Sequence, residues 1–385
     1  MWRCRSAWLG IGAWVLLATS AGEVPAASAI GAGMLRASDL LLNLDLDGAE
    51  VECRRLLAMP QGEAAGRFCL SLVTLTGAED KDDPTPVLDR FLEQAAEALT
   101  AAEAQERAAP ADAEAKLLLG MVRGSKALVD GVRKNYVSAF QGVREAYRRF
   151  REARELDPSL VDASYGLGLY HLALGRLPAV LKPFAAIVLP QGEVAEGLQE
   201  LERVAEQGVY LKATAQVVLL QSYAGPEQRY AEALRLGLDL LVRYPSNPDL
   251  YFATAHAASE LGRFEEALEI ARRVGQQMSE GRPRFAALAA RHQQLLGKIH
   301  MDRGDHTTAL VFFQRALEAP TAPRFRWITA WAWTRSGMIH DLQGNRQEAV
   351  RRYQAALTVE TDGVAKELAR QYLESPYRGR PRTRS

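Results

Sequence analysis

Ala309, Phe313 and Ala316 repeat the spacing of Ala349, Tyr353 and Ala356 further along the chain, and of Ala146, Phe150 and Ala153 near its middle. Offsets of three and four put the three side chains of each set on one face of a helix. The last two sets each follow a glycine-bearing helical segment and a turn: Leu296, Gly297, His300 and then Gly304; Trp333, Gly337, His340 and then Gly344. Small residues at these places let two helix backbones approach closely, and the aromatic ring fills the groove between successive pairs. A chain with this recurrence is committed to helix pairs stacked in tandem, because one pair cannot bury its apolar face alone.

Other stretches carry parts of the pattern. Pro158 follows the set at 146–153, and Leu167, Gly168, His171 and Gly175 supply the next first helix. Ala233 and Ala267 lie thirty-four residues apart inside the similar strings RYAEAL and RFEEAL, with Pro245 and Gly262 as punctuation. Over residues 135–360 the pattern resembles the tetratricopeptide repeat, with its small crossing residues, aromatic wedge and proline after the second helix.

That resemblance implies an all-α fold, an antiparallel helix-pair solenoid (a superhelix of tetratricopeptide type) with a divergent N-terminal helical cap. The expected division is a leader over 1–29, a divergent helical region over 30–134, repeats over 135–374 with an irregular insert near 176–210, and a disordered basic tail over 375–385. Within the insert, Pro178, Pro183 and Pro190 interrupt an apolar run over 176–192 where a second helix is due. It reads as a buried connector or as an exposed contact for a partner or membrane.

The resemblance also assigns faces. The first helix of each pair lines the concave side, so its residues not needed for packing become candidate partner contacts: Tyr165, Phe252, His256, Arg291, Gln294, Lys298, Trp331, Thr334 and Met338. Aromatic and arginine anchors dominate such interfaces. Trp327 and Trp331 lie one turn apart and can share a surface, whereas Trp333 matches a packing position of the repeat.

Charge narrows the partner. The chain has 47 Lys plus Arg and 47 Asp plus Glu, so no global field draws it to nucleic acid or an anionic membrane. Strings such as EQAAEALTAAEAQER read as salt-laced helix surface. The expected partner is a protein or peptide, with membrane contact the less favoured reading.

Arg3 and Arg5 precede an apolar run from Trp8 to Ala18, and Ala27-Ser28-Ala29 offers a small-residue cleavage site. This is the layout of a secretory signal peptide, cut after Ala29 or nearer Ala21, and it places the mature chain in a periplasm or outside the cell. Cys53 and Cys69 stand eight residues either side of Gln61. If AMPQGE is a turn between antiparallel helices, the two cysteines reach similar height. They are then either bridged, as an oxidising compartment permits, or two small buried apolar residues.

No catalytic constellation emerges. None of the six histidines has zinc-binding spacing, and His171, His300 and His340 share one repeat position three residues after a glycine, which reads as a structural slot. No glycine-rich phosphate loop follows a strand. The sequence therefore predicts no cofactor, no metal and no enzymatic activity. It predicts an exported scaffold that holds a protein in its groove, the alternative being a membrane-tethered assembly factor with an uncleaved N-terminus and the apolar 176–192 loop as its contact.

Overall fold

The structure, a computed structural model, describes residues 28–78, 81–177, 190 and 192–379. The leader, most of the apolar insert and the last six residues of the tail lie outside them. Every regular element among the described residues is helical, and the chain divides into two compact units. The N-terminal unit takes the described residues to 221 together with 242–245, and the C-terminal unit takes 222–241 and 246 onward.

The N-terminal unit contains α1 (Ala29–Leu42), α2 (Leu46–Leu57), α3 (Glu63–Gly77), α4 (Thr85–Ala108), α5 (Ala113–Val132), α6 (Tyr136–Leu156), α7 (Ala163–Gly175) and α8 (Val194–Gln207). The division between units falls inside α9 (Lys212–Ala224) and α10 (Tyr230–Arg243). The C-terminal unit continues with α11 (Pro248–Glu260), α12 (Phe264–Ser279), the one-turn α13 (Pro283–Ala286), α14 (Ala289–Arg303), α15 (His306–Glu318), α16 (Arg326–Leu342), α17 (Arg346–Thr358) and α18 (Val364–Glu374). Helices α1 to α8 pack consecutively in tandem, as do α11, α12 and α14 to α18.

One turn geometry joins the two helices of five pairs. Leu44, Lys134, Gly262, Gly304 and Gly344 all have positive φ. The next residue in each case donates its N–H to the carbonyl five positions back: Asp45 to Leu40, Asn135 to Asp130, Arg263 to Ala258, Asp305 to His300 and Asn345 to His340. These are Schellman closures, which satisfy the last carbonyls of one helix while turning the chain into the next. In three of the five the same residue then caps the new helix: Asp45, Asp305 and Asn345 accept from the N–H three residues on. The pairs α1–α2 and α5–α6 thus use the turn of the later repeats, although Leu44 and Lys134 occupy the left-handed position there.

The wedge residues sit where the spacing predicts. Phe313, with Ala309 and Ala316, packs on Ala332 and Ile339, and Tyr353, with Ala349 and Ala356, packs on Met338 and Ala369. Each ring lies against the glycine of its partner helix. A Cβ on Gly297 would stand 2.6 Å from the Phe313 ring, and one on Gly337 would stand 2.5 Å from Tyr353. Phe150 is gripped twice, since Cβ atoms on Gly120 and Gly166 would approach it to 2.8 and 2.0 Å.

The pair α7–α8 departs from this plan. Its second described helix, α8, starts at Val194 and carries glycine in place of an aromatic wedge. A Cβ on Gly168 would lie 2.9 Å from the Gly197 carbonyl oxygen, and one on Gly197 would lie 2.7 Å from that of Gly168. The two backbones are in near contact.

In the N-terminal unit Cys53 and Cys69 are joined as a disulfide, Cα atoms 5.3 Å apart, packed beside Ala37 and Leu56. The acids of EQAAEALTAAEAQER reach neighbouring helices: Glu106 meets Lys116 at 2.9 Å and Arg149 at 3.0 Å, and Glu103 pairs with Arg123. At the other end Asp341 is buried and accepts from the Tyr353 hydroxyl at 2.8 Å and the Tyr377 backbone N–H at 2.8 Å. The expectation of disorder from 375 therefore does not hold for 375–379, where Tyr377 also stacks edge-on with Tyr372.

Candidate functional site

The first helices α11, α14 and α16 bring most of the candidate contacts together in the C-terminal unit. Asn247 caps α11, with Pro248 at its first position, and this sets Asp249, Phe252 and His256 one turn apart along one face. The Arg291 guanidinium on α14 ion-pairs with Asp249 and lies 3.9 Å above the Phe252 ring centroid. It is also 5.7 Å from the ring of Trp327 on α16. One turn beyond, Trp331 carries the Arg335 guanidinium over its ring at 4.4 Å. Trp327 shares this surface with Trp331, as their one-turn spacing suggested, whereas Asp249 and Arg335 belong to it although sequence spacing did not select them. The alternation of aromatic and arginine along α16 is the signal that would have found Arg335.

Deeper between α11 and α14 lies an ionic cluster. Lys298, only 5% exposed at its side chain, is 2.9 Å from Glu260, equally buried, and pairs with Asp302. Asp302 accepts from the Ser259 hydroxyl at 2.7 Å, and His256 Nδ1 lies 3.8 Å from Glu260. Lys298 is thus held by two acids inside the helix interface, and its role as a surface anchor is corrected to a structural one. Gln294 on α14 and Met338 on α16 are buried as well, so neither stands as a surface contact; Met338 packs in the Tyr353 cluster.

Two further candidates are withdrawn on burial. Thr334 is completely buried, and its hydroxyl bonds the carbonyls of Ala330 and Ala365, fastening α16 to α18. Tyr165 lies inside the N-terminal unit at 3% exposure, and burial pushes its phenol above the usual range. The first-helix rule failed at both because helices in the middle of a stack bury residues on more than one side. Phe252 is withdrawn as a contact too, for it is buried beneath the Arg291 guanidinium. What remains part-exposed is a strip of His256, Arg291, Trp327 and Trp331. Trp333 is half-buried against the Tyr353 cluster, with Arg352 at 5.0 Å over its ring.

The histidines divide. His300 stacks on Phe312 at 5.2 Å with Nδ1 3.3 Å from Asp305. Burial and the nearby Arg352 hold His340 below the usual imidazole range. His292 Nε2 lies 2.9 Å from the Ala271 carbonyl oxygen, and burial lowers its pKa. His171 faces two carboxylates on α8, at 2.9 Å from Glu200 and 3.6 Å from Glu196.

This architecture defines a helix-pair repeat protein. Residues 139–188 match the tetratricopeptide repeat family. The chain is similar to a tetratricopeptide repeat protein from Parabacteroides merdae at 14% identity, covering 79% of this chain and 99% of that one, with a TM-score of 0.34. It is also similar to yeast Tom70 at 12% identity, covering 90% and 95% of the two chains, with a TM-score of 0.26. No curated protein matches. Repeats of this kind typically serve as non-catalytic scaffolds for protein partners, because stacking leaves extended surfaces for binding. Among the described residues no helix is long and apolar enough to cross a membrane.

Proposed function

We propose that this chain is an exported, non-enzymatic scaffold that binds a protein partner on the first-helix strip of its C-terminal unit. The observation that carries this reading is the part-exposed row of Arg291, Trp327 and Trp331, with the Arg291 guanidinium seated on the buried Phe252 ring. The buried charges beneath that strip, Lys298 and Glu260, are paired with each other, with Asp302 also on Lys298, so a partner gains contact with amphipathic rings without having to neutralise a buried charge. Export is supported by the basic-apolar-small layout of residues 1–29 and by the Cys53–Cys69 bridge, a bond that persists in oxidising compartments.

Ser28 refines the cleavage point. Its hydroxyl caps α1 by accepting from Gly31 N–H at 3.1 Å. Cleavage nearer Ala21 keeps this cap, whereas a chain starting at Ile30 loses it. Intact-mass measurement on protein from the exported fraction distinguishes the two, and an uncleaved chain in the membrane fraction would favour the tethered alternative. For the binding strip, a photocrosslinker replacing Trp331 is expected to capture a partner that one replacing Arg272, exposed on α12, does not. Equal capture from both positions, or loss from neither on Arg291→Ala, removes the strip as the contact.

A further inference from the structure

Of the three histidines in the shared repeat slot, one has surroundings the others lack. His171 on α7 is 4% exposed and directs Nδ1 at Glu200 Oε2 and Glu196 Oε1, which stand one turn apart on α8. The three donor atoms all lie within 4.8 Å of one another. Ligands bound to one ion at about 2.0–2.2 Å in tetrahedral geometry stand roughly 3.4 Å apart. The distances of 2.9 and 3.6 Å bracket that value.

The near contact of Gly168 with Gly197 creates this arrangement. His171 and Glu200 each follow their glycine by three residues, so the crossing that brings the backbones together brings His171 to Glu200, and Glu196 stands one turn before Glu200. A third glycine keeps the space open, for a Cβ on Gly192 would come within 2.9 Å of His171 Cα and 3.2 Å of its ring. The outer shell is furnished as well. Arg154 Nη1 takes the far oxygen of Glu200 at 3.2 Å, leaving Oε2 turned toward the imidazole. The rings of Tyr147 and Tyr170 stand edge-on to the imidazole, with centroids 6.0 and 5.5 Å from it, and fix its plane. Orientation of ligands by an outer shell of this kind is what metal sites require.

We propose that His171, Glu196 and Glu200 bind one divalent first-row transition metal ion of the zinc class. One imidazole and two carboxylates suit Zn²⁺ better than Mg²⁺, which seeks an octahedron of oxygens. Glu196, half-exposed at its side chain, forms the entry side, and a fourth position is left to water. The ion clamps α8 to α7 directly after the apolar insert.

The test uses tag-free, full-length mature protein stripped with chelator and titrated with Zn²⁺, with Co²⁺ as the spectroscopic probe. The expected result is one equivalent of Zn²⁺ per chain, a visible Co²⁺ absorption typical of fewer than six ligands, and a rise in Tm on metal addition. Glu196→Gln, at the exposed side and so compatible with folding, should weaken Zn²⁺ binding at least tenfold, on the order of the loss seen even for outer-shell groups. It should also abolish the rise in Tm, and His171→Asn should do the same. Absence of stoichiometric binding in the folded wild type, or binding unchanged in Glu196→Gln, overturns the site and leaves His171–Glu200 as a hydrogen bond.

Discussion

Gly337 and Gly124 both sit inside helices, yet they should answer the same added methyl group in opposite ways. Gly337→Ala drives a Cβ to 2.5 Å from the Tyr353 ring, and overpacking of this kind costs about 1–3 kcal/mol. The gain in helix propensity, about 1 kcal/mol, offsets only part of it. At Gly124 the nearest atom is the Ala146 Cβ at 3.7 Å, so Gly124→Ala should stabilise by up to about 1 kcal/mol. Urea midpoints of the two variants check the signs. Asp39 is the residue to watch in pH. Burial raises its carboxyl to about 6, against the hydrogen bond from the Tyr244 hydroxyl at 2.6 Å and the charge of Arg243. The folded state then holds this proton more tightly than an unfolded carboxyl of about 3.9. The group's contribution to stability is full below pH ~4 and is lost as pH rises toward 6. Asp39→Asn should flatten the slope of urea midpoint against pH over that window, and an unchanged slope would place the dependence elsewhere.

At the scale of elements, the pairing of α11 with α14 rests on a buried charge that no spacing rule exposes. Lys298→Ala strands Glu260 in a site where both side chains are 5% exposed, and breaking a buried pair from one side costs about 3–5 kcal/mol. The double variant Lys298→Met with Glu260→Gln removes both charges and should recover most of that loss in chemical denaturation. A double variant no more stable than Lys298→Ala would show that the cost lies in packing. The turns between elements explain why the N-terminal pairs were harder to read than the C-terminal ones. Gly304 and Gly344 advertise a left-handed residue, while Leu44 and Lys134 adopt the same conformation without the residue type that signals it. The backbone geometry recurs there, but its sequence signature does not. Similarly, α8 escaped the pattern because its crossing uses Gly197 against Gly168 rather than an aromatic wedge.

At the scale of the whole molecule, the two compact units carry different reporters. The Cys53–Cys69 bond lies in the N-terminal unit, and Trp327, Trp331 and Trp333 all lie in the C-terminal unit. The remaining three tryptophans precede Ser28 and leave with the leader in the proposed mature chain. Closing a loop of this length contributes about 3 kcal/mol in the chain-entropy account. Reductant should therefore lower the unfolding midpoint seen by far-UV circular dichroism while leaving the tryptophan-fluorescence midpoint nearly unchanged. Equal shifts of both signals would contradict that assignment. The sequence by itself determined that the chain is helical, where its clearest pairs turn and which aromatic residues wedge them, because these follow from periodicities of three to four residues and from local backbone chemistry. Tertiary structure alone decided that Thr334 and Lys298 are interior, that Arg291 lies between Phe252 and Trp327, and that His171 meets two carboxylates more than twenty residues away. Burial and juxtaposition depend on how closely neighbouring helices cross, and that distance is set by pairs of residues from different helices, which no single stretch of sequence contains.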